Sequence, residues 1–60
     1  MNAVVEAGDW VRWMRGGVLV MGVVQYVTVV DGWPWGVRLT TDNGAVAEKD
    51  VLEVRKEVTP

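Results

Sequence analysis

Apolar and polar residues alternate with a period of two along most of this 60-residue chain, which is the spacing of strands rather than helices. After the turn signal Gly8-Asp9, residues 10–15 put Val11 and Trp13 on one face and Trp10, Arg12 and Met14 on the other. Arg12 marks the second face as the solvent side, so Val11 and Trp13 are core candidates. Gly16-Gly17 then breaks the strand. Residues 18–30 behave differently, because neither face is polar. Val18, Val20, Gly22, Val24 and Tyr26 fall on one side, and Leu19, Met21, Val23, Gln25 and Val27 on the other. Such a strand is either covered on both sides or bends from one sheet into another, and Gly22 is the natural place for the bend.

The remaining elements are shorter. Asp31-Gly32-Trp33-Pro34-Trp35-Gly36 forms a turn region, since Pro34 cannot sit in a central ladder. Residues 37–41 make a third strand with Val37 and Leu39 inward and Arg38 and Thr40 outward. Asp42-Asn43-Gly44 is a hairpin signal, in which Asn-Gly supplies positive φ angles. Residues 45–48 make strand four, 49–52 a single 3₁₀ turn, and 53–55 the last strand. Val11, Trp13, Val24, Val37, Leu39, Val46, Leu52 and Val54 are the expected core; Arg12, Arg38, Thr40 and Glu53 are expected in water. Five short strands with a turn signal about every ten residues indicate a closed all-β unit, because closure protects strand edges that a flat sheet would expose.

Composition narrows the chemistry. Fifteen valines suit a pleated sheet. There is no cysteine and no histidine, hence no disulfide framework and no zinc site of a familiar type. Serine is missing as well, which removes the commonest bases and nucleophiles together. Asp9, Asp31, Asp42, Glu48 and Asp50 fall mostly at turns, where carboxylates cap and solvate the backbone. No glycine pattern matches a phosphate loop. These absences point to a non-catalytic protein without cofactor or metal. The first residues carry no basic run and no long apolar stretch, and the most apolar segment is too short for a membrane helix, so the expected location is cytoplasmic. The valine- and arginine-rich bias suggests a GC-rich bacterial or phage genome.

Gly8-Asp9-Trp10-Val11-Arg12 followed by Gly22-Val23-Val24 resembles the opening of SH3-like barrels, including KOW-type domains, and residues 37–39 with 51–54 resemble their closing strands. The resemblance implies a five-stranded SH3-like barrel over residues 8–55 with a short 3₁₀ turn before the last strand, an N-terminal arm over 1–7 and a tail over 56–60. The layout is also similar to small barrels that serve as accessory subunits: the variable chain of ferredoxin–thioredoxin reductase, an extrinsic photosystem I subunit and type II dihydrofolate reductase. The Val-Gln-Ile-Tyr segment of that reductase's fourth strand has no counterpart in residues 44–48, so its activity is not implied. The Ala-Leu-Tyr-Asp-Tyr motif and Trp-Trp pair of peptide-binding SH3 domains are also missing.

Four tryptophans in so short a chain exceed what its core can hide. With Trp13 in the core, Trp10, Tyr26, Trp33, Pro34 and Trp35 are the expected protein-contact residues, since grouped exposed aromatics mark interfaces. The alternative for Trp33 and Trp35 is that they cap an open barrel end. The apolar excess on the second strand favours a homo-oligomer. The competing function is weak nucleic-acid binding through Arg12, Arg15, Arg38 and exposed tryptophans. A net charge of −2 weighs against it, and the arginines read more readily as ordinary strand residues facing water.

Overall fold

The computed structural model describes residues 5–29 and 36–57. Five antiparallel strands form one sheet: β1 (Trp10–Arg15), β2 (Val18–Val29), β3 (Val37–Thr41), β4 (Gly44–Ala47) and β5 (Glu53–Arg55). A 3₁₀ turn, Glu48–Asp50, precedes β5, one residue earlier than the sequence pattern places it. The strand order is β4-β3-β2-β1-β5. Among the described residues no helix is long and apolar enough to cross a membrane.

The long β2 divides this sheet into two ladders. Val18 to Val23 pair with β1, in register Arg15↔Val18 through Trp10↔Val23. Val24 to Val29 pair instead with β3, from Val24↔Thr41 to Val29↔Val37. Each half of β2 therefore belongs to its own ladder, with β5 extending the first and β4 the second. The register slips between Val24 and Tyr26, a bulge at Gln25 that reverses which face looks inward. The inward set passes from Val20, Gly22 and Val24 to Val27. The bend expected at Gly22 is thus a bulge three residues later. Gly22 is needed for a different reason. A Cβ there would lie 2.6 Å from Thr41 Oγ1 and 3.0 Å from Asp42 Oδ1, so only glycine lets the β3–β4 turn approach this closely.

That turn completes the free edge of the first half of β2. Asp42 Oδ1 accepts from Val23 N–H at 2.9 Å, Asp42 N–H donates to the Val23 carbonyl at 3.2 Å, and Asn43 Nδ2 donates to the Met21 carbonyl at 2.6 Å. Two side chains and one amide stand in for a neighbouring strand. Within the hairpin only Gly44 has positive φ, 113°; Asn43 does not, contrary to the Asn-Gly expectation. The Thr41 hydroxyl holds the turn instead, accepting from Asn43 N–H and donating to the Gly44 carbonyl.

Val5, Val11, Trp13, Val24, Leu39 and Val46 form the core, with Val20, Val27, Val37, Val51 and Val54 packed partly buried against it. Five of the eight expected core residues are fully inside, and Val37 and Val54 are partly so. Leu52 is a correction: it is 63% exposed. Its N–H donates to the Arg12 carbonyl, and its side chain lies along the gap between β1 and β4 with Trp13, Met14 and Ala45. Among the described residues no ladder joins the edge strands β4 and β5, so barrel closure is not made there and Leu52 is left uncovered. Of the residues expected in water, Arg38 is exposed while Arg12, Thr40 and Glu53 are half-buried.

The packed unit reaches past residues 8 and 55 at both ends. Val5 is buried, and the Asp9 carboxylate, 2% exposed, gathers the Glu6 N–H at 2.8 Å, the Glu57 N–H at 3.2 Å and Lys56 Nζ at 2.6 Å. The Asp9 backbone sits where β2 changes partner, its carbonyl accepting from Val24 N–H at 2.8 Å. Burial alone pushes the Asp9 carboxyl up, but the Lys56 ammonium and the two N–H groups outweigh it and hold the group below its ordinary value.

Candidate interaction surface

The outward side of the first ladder is apolar, and the register explains why it is continuous. Directly paired across β1 and β2 are Trp10 with Val23, Arg12 with Met21, and Met14 with Leu19. All six share the face opposite the core residues Val11 and Trp13. The Met21 carbonyl points away from β1 toward Asn43, so Arg12 and Met21 form a non-hydrogen-bonded pair, the kind whose side chains come closest. Trp10 is 48% exposed, and Met14, Leu19 and Met21 are each 50% exposed.

β5 borders this face on the other side of β1. Arg55 lies opposite Trp10 and Glu53 opposite Arg12. The Arg12 guanidinium is ion-paired with Glu53 Oε1, and Arg55 Nε reaches Glu53 Oε2 at 3.3 Å. Trp10, Arg12, Met21, Glu53 and Arg55 thereby enclose a shallow groove of about 300 Å³. The arginine in the middle of the apolar face already has its carboxylate.

The residues expected from sequence to make contacts are distributed unevenly over this picture. Trp10 belongs to the apolar face. Tyr26, 56% exposed, lies on β2 beyond the bulge, opposite Thr40. Trp33, Pro34 and Trp35 lie outside the described residues, as do Asp31 and residue 30 of the expected second strand. Met14, Leu19 and Met21 were not among the expected contact residues. Their signal was present in the unbroken apolarity of residues 18–24, but the pairing register was needed to align it with Trp10 and Met14.

The three arginines of the nucleic-acid reading stand in three different places. Arg12 is paired with Glu53 on the apolar face. Arg15, at the end of β1, donates to the Asn43 carbonyl, and its guanidinium lies 5.7 Å from the centre of the Trp13 ring. Arg38 is on the outward side of the second ladder, between Thr28 and Ala47. No family of known proteins, no characterised protein and no solved structure matches the chain, so any function must be read from the surface itself.

Proposed function

We propose that this chain is a small non-catalytic protein-interaction module or accessory subunit, cytoplasmic, which contacts protein through the outward face of β1 and β2. One observation carries the reading: the same long strand has an apolar outward side where it pairs with β1 and a mixed, largely polar one where it pairs with β3. Leu19 and Met21 face Met14 and Arg12, whereas Tyr26 and Thr28 face Thr40 and Arg38. The core does not require the first arrangement, since the second half supplies its share of the core without it.

The magnitude supports a contact role. Half of a large side chain is roughly 100 Å², so Trp10, Met14, Leu19 and Met21 together leave about 400 Å² bare. At about 25 cal/mol per Å² this is roughly 10 kcal/mol of burial left unrealised. A domain of this size has only about 3–5 kcal/mol of net stability from its core.

Site-specific photo-cross-linking in host cells tests the reading, with a diazirine amino acid placed at Leu19 or, as control, at Thr28. Protein adducts from position 19 in excess over position 28 are expected. Equal yields from both positions would remove the basis for the proposal.

A further inference from the structure

We infer that the occupant of the β1–β2 outward face is a second copy of this chain, giving a two-fold dimer in which the same patch is presented from both sides. The inference rests on the contact role proposed above and adds the identity of the partner. Two features of the face select a copy over a different protein.

The first is area. Two patches of about 400 Å² bring about 800 Å² of apolar surface together before Val23, Arg12 and Glu53 are counted. With these, Arg12 at the centre of the face as an ion pair with Glu53, the contact passes the roughly 1,000 Å² at which specific interfaces begin. The face is thus large enough to form an interface with itself, at the small end of the range, where association is expected near the micromolar level rather than below it.

The second is charge. A foreign partner is usually selected by charges that await complement. This face offers almost none. Arg12 already has Glu53, and the same carboxylate holds Arg55 Nε at 3.3 Å. Arg55, its side chain 78% exposed, lies at the rim and remains in water when the centre is covered. Laying one such face on another strands no unpaired charge, which is the condition an isologous contact must meet.

Sedimentation equilibrium of the full chain, from low micromolar to hundreds of micromolar with no other protein present, tests the inference. The wild type should approach twice the 6.6 kDa chain mass at the upper end. Met21→Glu should weaken association by more than about tenfold, because a carboxylate, even one beside Arg12, must lose its water at the centre of each half, while Thr28→Glu leaves it unchanged. Should Met21→Glu fail to fold, Leu19→Thr keeps a strand-favouring residue and reads the same face. A wild type that stays monomeric throughout overturns the inference, and so does a dimer that both variants leave intact. If a monomeric wild type nevertheless yields adducts of foreign mass from position 19 in the cross-linking experiment, the contact face stands and only the second copy falls.

Discussion

The two halves of β2 are built from the same kinds of residue and do the same work on the inside, yet they differ on the outside. Inward, Val20 in the first half and Val24 and Val27 in the second all belong to the same core as Val11, Trp13 and Leu39 or pack against it. Outward, the first half shows Leu19 and Met21 against Met14 and Arg12, and the second shows Tyr26 and Thr28 against Thr40 and Arg38. The bulge at Gln25 makes this division possible. It reverses the inward parity, so valines placed in an unbroken run serve two ladders in succession. What differs between the halves is therefore not demanded by the core they share.

The largest expected effect contrasts one residue type in the two environments. Leu39 is fully buried, and Leu39→Ala should cost about 2–5 kcal/mol, enough to unfold most of a domain this small at 25 °C. Leu19 is half exposed on the outward face, and Leu19→Ala should change the stability of the isolated monomer by only about 0.5 kcal/mol. Chemical denaturation at low protein concentration measures both. A loss at Leu19 approaching that at Leu39 would mean the outward face is a second core.

How much of this was legible in the sequence follows from what each signal encodes. Alternation located β1 and β3 within a residue, because one face of each is polar enough to mark the other as core. It failed on β2, where both faces are apolar, and there it could state the excess but not where it lies. Gly22 attracted the bend because glycine in a strand often marks one, but close approach of Thr41 is a competing cause that leaves no local trace. Leu52 was misplaced because a period of two does not reveal that β4 and β5 fail to pair. Asp9 read as a turn carboxylate, since the partners that bury it, Lys56 and Glu57, lie forty-seven and forty-eight residues away. Met14, Leu19 and Met21 became a patch only once the register aligned them.

The junction between the halves is the next place to test the comparison. Gly22→Ala should destabilise by about 1–3 kcal/mol, since its Cβ would press on the Thr41 side chain at 2.6 and 3.0 Å inside a packed turn. Thermal unfolding by circular dichroism reads the shift. An unchanged midpoint would show that the β3–β4 turn yields freely and that the two ladders are only loosely joined at this point.

Asp9 supports the same junction from the other side and adds a pH dependence. Its carboxylate joins the segment before β1 to the segment after β5, and Asp9→Asn, which keeps one acceptor and loses the charge, should cost about 1–3 kcal/mol at neutral pH. The folded carboxyl lies below its ordinary value of 3.8, so its stabilisation is present above that value and is lost as pH falls through the lower folded one. The wild type should therefore lead the variant at pH 7, and the gap should begin to close as pH falls below about 4 and vanish only below the lowered folded value. Parallel stability curves for the two proteins down to pH 2 would show that the clasp does not titrate with folding.

Tyr26 carries the smallest expected effect and draws the boundary of the contact face. It is 56% exposed and lies on β2, so exposure and aromatic character alone would place it with Trp10. Its position argues otherwise: it follows the bulge, pairs across to Thr40, and has Thr28 and Arg38 as the next row along the same face. A tyrosine opposite threonine on a wet sheet face is worth a few tenths of a kcal/mol through cross-strand packing, and its hydroxyl is content in water. Tyr26→Thr should therefore shift stability by about 0.5 kcal/mol or less and leave the sedimentation mass unchanged, whereas Leu19→Thr disperses the dimer. If the two substitutions weaken association equally, the contact runs across Gln25 onto the second ladder, and the contrast between the halves of β2 no longer explains where this protein binds.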